Sequence, residues 1–236
     1  MRFPLRLNAA LQRTRLSTLL VRSSRSPLIF HLSIGDKGLA RAKSQGAPVV
    51  WIGGEEPLLH PEIGGLANGL VEDNRHVFVH TDGYNLRQRI HAFRPDSRLF
   101  LTLEFAGLEK THNRVMGRHD AFRRSLEGIR AAKLSGFLVA AHFTVAPQTD
   151  ACEIGELIEC LDSKDVDGFV VSSGSQVPTG QNAALSEILA EARAMIRCSR
   201  WENFSRLLED SYSGAVSRRT PEKISAPGEG AYEEGD

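Results

Sequence analysis

The sequence predicts an α/β fold, in which six parallel strands form an open, partial barrel of six β/α units. Two observations predict this fold. Short runs rich in Val, Phe, Leu and Ile recur along the chain, and amphipathic helical patterns fill most of the gaps between them. Six units are too few for a closed eight-stranded barrel and too many for a small open motif. A doubly wound open sheet is the alternative arrangement.

The predicted strands are short, and Gly, Ser or Asp closes each of them. They cover residues 27–33, 48–52, 76–80, 98–105, 137–145 and 166–172. Apolar residues at three-to-four spacing predict helices at 61–72, 121–134, 152–161 and 183–196. Only residues 34–47 separate the first two strands, so the first β/α unit is shortened. It has room for a turn and a short helix over 36–44.

The two ends of the chain differ in composition from the predicted barrel, which covers residues 27–212. Residues 1–26 carry several arginines and no acidic residue. This pattern resembles a mitochondrial presequence. We favour the alternative of a basic leading helix that packs beside the first strand or lies on an anionic surface, because the pattern runs straight into a core strand. Residues 213–236 are rich in Gly, Pro, Glu and Arg and predict a disordered tail.

Composition excludes several classes of protein. The formal net charge is zero, which gives the whole molecule no attraction to nucleic acid or to a membrane surface. No apolar run approaches the roughly 18 residues that a membrane span needs, so no integral membrane segment is predicted. The three cysteines, Cys152, Cys160 and Cys198, are few and odd in number. They favour a reducing compartment, and we predict a cytoplasmic protein without disulfides.

The second predicted strand runs into a turn of glycines and acids, and the next helix follows directly. This turn is Gly53-Gly54-Glu55-Glu56-Pro57. Together with other blocks in the same order, it resembles the radical SAM superfamily, and most closely its adenosyl-hopene transferase branch in hopanoid biosynthesis. The matching blocks are residues 46–50, 57–63, 108–114, 128–137 and 166–174. The resemblance implies a parallel partial (β/α)6 barrel of the TIM-like type and S-adenosylmethionine as cofactor.

The resemblance also implies a [4Fe–4S] cluster, which the family holds with a Cys-x-x-x-Cys-x-x-Cys loop after the first strand. Thiolates hold the irons of such a cluster and set its potential. No such triplet occurs in these 236 residues, and the matching position, 34–38, contains no sulfur. The three cysteines follow the fifth and sixth predicted strands, and their spacing matches no cluster pattern. This chain therefore does not support the cluster that the family implies.

The resemblance places a cofactor site at the ends of four predicted strands. In the glycine–acid turn, one glutamate replaces a family glycine or is inserted, and Glu55 or Glu56 is expected to accept from the ammonium group of S-adenosylmethionine. The alternative is a plain strand-to-helix turn with acids near a helix N-terminus. The candidate cofactor-binding residues are Gly53, Gly54, Glu55, Glu56, Pro57, Asp82, Glu104 and Ser172. No catalytic residue is predicted.

Two other kinds of site are open alternatives. Glu55 or Glu56, His80, Glu104 and His142 lie near strand ends, and histidine with carboxylate binds divalent metals. More often, a lone histidine on a strand forms only structural hydrogen bonds within the barrel wall. A predicted loop over the barrel mouth, residues 112–119, carries histidines and arginines that suit an anionic ligand, and a solvated loop is the alternative.

These observations favour a degenerate, non-catalytic relative of radical SAM enzymes. Without the cluster there is no electron donor to cleave the sulfonium, since that chemistry belongs to the cofactor. The expected role is to bind a ligand or a partner protein, either an active radical SAM enzyme or a second copy of this chain. The alternative function is a truncated form of an enzyme that transfers a 5′-deoxyadenosyl group, as the adenosyl-hopene transferases do.

Overall fold

The computed structural model describes residues 3–20, 27–34, 46–146, 149–173 and 183–216. Six parallel strands form one curled sheet, and each strand pairs with its neighbour in sequence, in the order β1-β2-β3-β4-β5-β6. Their bounds are β1 Ile29–Ser33, β2 Val49–Gly53, β3 His76–Thr81, β4 Leu99–Phe105, β5 Leu138–Thr144 and β6 Gly168–Ser172. The predicted partial barrel is therefore confirmed, and the strand ends differ from the predicted ones by one or two residues.

Helices cover the outer face of this sheet and one end of it. Among the described residues they are α1 Leu5–Leu20, α2 Ile63–Glu72, α3 Leu86–Arg89, α4 Glu109–Met116, α5 Ala121–Leu134, α6 Ala151–Asp162, α7 Ala183–Ala194 and α8 Ser199–Val216. Short 3-10 turns span Pro57–Leu59 and Ile90–Ala92. No helix in these described stretches has the length and hydrophobicity that a membrane crossing requires.

The last helix, α8, lies across the open side of the barrel. It packs against β6 and β1, the two end strands of the sheet. Phe204 lies on Phe78 with ring centroids 4.9 Å apart, and Trp201 meets Phe100 edge-on at 5.8 Å. The Trp201 indole also covers Gly168, where an added Cβ would lie 2.2 Å from the ring. The interior that a closed barrel fills with strand side chains is thus filled by a helix.

Side chains of α8 also cap the free edge of β6. The Val171 backbone N–H donates to Ser205 Oγ at 3.0 Å, and the Ser173 N–H donates to the Glu209 carboxylate at 2.8 Å. Glu209 accepts a second bond from the Ser173 hydroxyl at 2.6 Å and pairs with Arg193 at 3.5 Å. These amides face away from β5, so the helix supplies the acceptors that another strand would offer.

The basic leading segment is helical over α1, and it docks by an apolar stripe. Phe3, Leu7 and Leu11 are buried, and Phe3 meets Trp201 with centroids 4.9 Å apart. Arg6 donates to Ser97 just before β4. The helix therefore covers the amino ends of the strands. Whether this segment also directs targeting stays a prediction.

Two predicted segments differ from the structure, and others lie outside the described residues. The expected loop over 112–119 is mostly helix, because α4 runs from Glu109 to Met116 and ends at Gly117, whose φ of +65° suits glycine. The predicted tail begins at 213, yet α8 continues to Val216. The predicted short helix over 36–44 and residues 217–236 lie outside the described residues. Helix α8 itself was not predicted.

Candidate functional site

The glycine–acid turn is fixed to the end of β3 by one carboxylate. Glu56 accepts hydrogen bonds from Thr81 Oγ1 at 2.6 Å, the Asp82 N–H at 2.9 Å and the Leu58 N–H at 3.0 Å. Burial raises the pKa of Glu56, while the bonds from Thr81 and Asp82 oppose this shift. Because three acceptor sites are already used, Glu56 acts mainly as a brace for the turn.

The exposed part of the turn is Gly54 and Glu55. Gly54 has a φ of +97°, and a Cβ there would lie 3.3 Å from the Cβ of Ser33, so the turn packs closely on the end of β1. Pro57 is buried at the start of the following 3-10 turn. The Glu55 carboxylate is therefore the acid of the turn that faces solvent at the mouth of the barrel.

A chain of polar contacts runs across the inside of the barrel at the carboxyl ends of β3 to β6. Ser172 Oγ lies 2.7 Å from His142 Nε2, and His142 Nδ1 lies 2.8 Å from His80 Nε2. The same nitrogen of His80 lies 3.9 Å from Glu104, which accepts from Thr144 Oγ1 at 2.8 Å. We call these five residues the interior polar chain. It connects a fully buried hydroxyl to a carboxylate whose side chain is 31% exposed.

The histidines of the interior polar chain are neutral. Burial lowers the pKa of His80, with Glu104 opposing, and it lowers the pKa of His142 further, with His80 adding to the shift. A neutral imidazole donates through one nitrogen and accepts through the other, so His142 carries one donor–acceptor sense between Ser172 and His80. The chain can orient a polar ligand.

The first strand and the last helix complete this interior. His31 Nε2 lies 2.6 Å from Ser211 Oγ, and the His31 ring stacks on Tyr212 with centroids 4.5 Å apart. Tyr212 also forms a hydrogen bond with Ser172, and burial raises its pKa. Sequence reasoning missed His31, Ser211 and Tyr212. Strand alternation places His31 level with Trp51 on the inner face, which was the available signal.

A basic and aromatic cluster flanks Asp82 on the outside of the mouth. Arg118 donates to Asp82 at 2.8 Å. The Arg118 and Arg124 guanidinium carbons lie 4.4 Å and 4.2 Å from the centroid of the Tyr84 ring. Asp120 pairs with Arg124 at 2.7 Å, a bond that lowers the pKa of the Asp120 carboxyl. Arg118 thus balances the charge of Asp82, and an anionic ligand in this region stays an alternative prediction.

The predicted cofactor residues share one edge of the sheet, since all strands are parallel. The structure brings them together as two groups. The turn at 53–57 meets Asp82 through Glu56, and Glu104 joins Ser172 through His80 and His142. Their role in binding a cofactor stays a prediction.

The metal alternative gains no support from the part of the chain that the structure describes. There, no three His, Cys, Asp or Glu side chains are placed to hold a metal ion. Glu56 is bonded to Thr81, and His80 and His142 are bonded to each other.

The cysteines do not fit an iron–sulfur cluster either. Cys152 and Cys160 lie eight residues apart on α6, which separates them by about 12 Å along the helix axis. Cys198 lies outside α6, just before α8. All three are free, and Cys152 is exposed. The donors required for the cluster are therefore not gathered at the strand ends.

Lowering the pH from about 7.5 to about 5 is expected to destabilise the protein. Burial holds the pKa of His31 and His76 at about 4, below the ordinary value of 6.5, and lowers the pKa of His80, His112 and His142 too. The unfolded chain therefore binds protons first as the pH falls. For His31 and His76 the stabilisation is complete above 6.5 and decreases toward 4, by up to roughly 1.4 kcal/mol per pH unit for each, and the other three act in the same direction.

The free energy of unfolding in urea, measured across this pH range, checks this expectation. Glu56, whose pKa is raised, contributes the opposite slope, but it is one group against five. The variant His76→Gln is the matched comparison, because it removes one titrating ring at the amino end of β3, away from the site, and should reduce the slope. An unfolding free energy that stays constant or rises between 6.5 and 5 would contradict the neutral, buried histidines.

Comparison with known proteins gives a family and a fold. A model of the radical SAM superfamily matches residues 36–161. Pre-heme d1 synthase from Dinoroseobacter shibae (strain DSM 16493 / NCIMB 14021 / DFL 12) is 26% identical over 129 residues, which cover 53% of this chain and 31% of that protein. The chain thus spans about a third of the length of this curated relative. The finer likeness to the adenosyl-hopene transferase branch stays a prediction.

Solved structures share the architecture. SuiB from Streptococcus suis bound to S-adenosylmethionine superposes with a TM-score of 0.53 and 16% identity, over 88% of this chain and 49% of that one. Another SuiB crystal structure gives 0.52 and 16%, over 89% and 51%. At this identity the likeness concerns the fold alone. With the family model matching just over half of its residues, the chain belongs to the radical SAM superfamily.

Proposed function

We propose that this protein binds S-adenosylmethionine at the carboxyl ends of its strands and does not itself cleave it. The observation that carries the proposal is the exposed glycine–acid turn, held by Glu56 against the end of β3, at the same edge as Asp82 and Glu104. In a radical SAM fold this edge is the carboxyl end of a parallel sheet, where α/β proteins build their sites.

The charge of the mouth suits this ligand. S-adenosylmethionine carries an ammonium and a sulfonium group against one carboxylate, so it has net positive charge. Glu55 is exposed in the turn, and Glu104 is partly exposed at the end of β4. Glu55 would accept from the ammonium group, and Arg118, which already pairs with Asp82, would balance the ligand carboxylate.

The residues present do not support the radical reaction of the family. A bound [4Fe–4S] cluster supplies the electron that cleaves the sulfonium bond. The positions of Cys152 and Cys160, eight residues apart on α6, and of Cys198, just before α8, support the proposal that these cysteines do not provide its ligands. We therefore propose a non-catalytic role, in which this relative of radical SAM enzymes binds a ligand and works with a partner. That partner is an active radical SAM enzyme or a second copy of this chain.

The transfer of a 5′-deoxyadenosyl group is the alternative from the sequence. It requires the same electron donor, and no contact among the described residues favours it over ligand binding alone. A cytoplasmic location is part of the proposal and rests on the free cysteines, which suit a reducing compartment.

Calorimetric titration of the purified protein with S-adenosylmethionine tests the proposal. We expect binding that Glu55→Gln weakens by roughly tenfold, since a charge-assisted hydrogen bond contributes about 1.5 kcal/mol or more. The matched control is Glu62→Gln, an exposed acid beyond the same turn, which should bind as the parent does.

Iron and sulfide reconstitution under anaerobic conditions completes the test. The parent protein should retain no stoichiometric iron. A full cluster that cleaves the cofactor under reductant would contradict the non-catalytic role. Absence of any binding heat, or equal affinity in Glu55→Gln and the parent, would contradict the proposed site.

A further inference from the structure

The turn of α8 at residues 209–212 occupies the mouth of the barrel. Its side chains Ser211 and Tyr212 point to the inner face, where His31 and Ser172 receive them. We infer that these two residues form a plug, which must move away before a ligand reaches His142 and Ser172, the buried members of the interior polar chain. This inference rests on the proposed function and concerns the regulation of the same site.

Tyr212 bridges the two ends of the curled sheet. Its ring stacks on His31 of β1 at 4.5 Å, and its hydroxyl bonds Ser172 of β6. The phenol is also close enough to Glu104 of β4 for that carboxylate to affect it electrostatically. Two predicted cofactor residues, Glu104 and Ser172, are therefore beside the plug. A ligand that uses them must take the place of the phenol.

The contacts of α8 change in character along the helix. Its first half is held by fully buried apolar side chains, Trp201, Phe204 and Leu208. Glu209 then fixes the helix to Ser173 through two hydrogen bonds. Beyond Glu209, the described side chains are held by polar and ring contacts to His31 and Ser172. The C-terminal part of α8 can thus move away while the apolar half stays packed, because parts of a structure with few buried apolar contacts open more easily than cores.

The plug lowers the apparent affinity of the site. Only molecules in which the plug is open can bind. The apparent affinity is therefore the affinity of the open form multiplied by the fraction of molecules that is open. A ligand with an aromatic ring and hydroxyl groups replaces both contacts of the plug: a ring for Tyr212 on His31, and a hydroxyl for Ser211. An adenosine group has these features. Removal of the plug should therefore strengthen the binding of S-adenosylmethionine, by roughly tenfold.

Two measurements on the full chain test the plug. The variants are Tyr212→Ala and, as a smaller change, Ser211→Ala. Asp210→Ala is the control, since Asp210 is exposed on the same turn. Calorimetry measures the affinity for S-adenosylmethionine. Acylation of histidine by diethyl pyrocarbonate, mapped by mass spectrometry, measures access to His31 and His142 without any ligand, and circular dichroism verifies the fold.

We expect faster acylation of His31 and His142 and tighter binding in Tyr212→Ala, a smaller change in Ser211→Ala, and no change in Asp210→Ala. Unchanged acylation in a folded Tyr212→Ala, or weaker binding in it, overturns the plug. If no protein binds S-adenosylmethionine but Tyr212→Ala is acylated faster, the plug stands and the proposed function fails. The two inferences are therefore separately refutable.

Discussion

Replacing Gly64 by alanine is expected to destabilise the protein by about 3 kcal/mol or more. Gly64 is buried in the first turn of α2, where an added Cβ would lie 1.9 Å from the carbonyl oxygen of Ala92 and 2.6 Å from its carbon. Both atoms belong to backbone in the 3-10 turn Ile90–Ala92, which cannot rotate away as a side chain would. The helix or the turn must shift. Urea unfolding monitored by circular dichroism measures the effect.

Gly65 is the matched control, one position further along the same helix. It is exposed, and an added Cβ there meets no atom within 4 Å. Gly65→Ala is expected to stabilise the protein by about 0.5 to 1 kcal/mol, because alanine loses less backbone freedom in a helix. Equal unfolding midpoints for the two variants would show that α2 and the 3-10 turn do not pack as described.

Replacing Trp201 by alanine is expected to cost about 3 to 5 kcal/mol of unfolding free energy. The side chain is fully buried and fills the barrel interior over Gly168, beside Phe3 and Phe100. Its indole N–H also donates to the Asp167 carbonyl at 3.1 Å. The truncation leaves a cavity among rigid strands and an unsatisfied carbonyl. Chemical denaturation measures the loss.

The variant Trp201→Phe separates these two contributions. It removes the N–H donor but keeps most of the apolar volume, so a loss of about 1 to 2 kcal/mol is expected, well below that of the alanine variant. The control Arg206→Ala lies on the exposed face of α8, where it pairs with Glu202, and should change the unfolding free energy little. An unfolding midpoint for Trp201→Ala close to that of the parent would mean that α8 is not part of the cooperative core.

The strands were predictable from sequence because their signal is local. Runs such as 49–53 and 99–105 are almost entirely buried between two layers, so most of their side chains are apolar. Helix α8 carries Trp201, Phe204 and Leu208 at helical spacing, but nothing local tells whether such a stripe covers the outside of a sheet or enters the barrel. Its place depends on the gap between β1 and β6, which only the three-dimensional arrangement of the strands reveals.

The sequence predicted where the candidate site lies better than it predicted which side chains contact each other there. The strand ends gave Glu56, Asp82 and Glu104, since parallel strands carry their ends to one edge. The role of Glu56 as a brace rests on Thr81, which is 25 residues away in sequence. The bond between His80 and His142 joins residues 62 apart, and His31 meets Ser211 across 180. Contacts between residues so far apart in sequence leave no periodic pattern from which they could be predicted.

The capped edge of β6 affects how this protein meets its own copies. An uncovered strand edge is a template on which another chain adds a strand, and this is a common route to aggregation and domain swapping. Ser205 and Glu209 already occupy the Val171 and Ser173 amides, so sheet extension is blocked there while α8 stays docked. Loss of the helix, by proteolysis or by a change such as Trp201→Ala, would uncover these two amides. The free edge of β6 would then favour β-pairing between molecules.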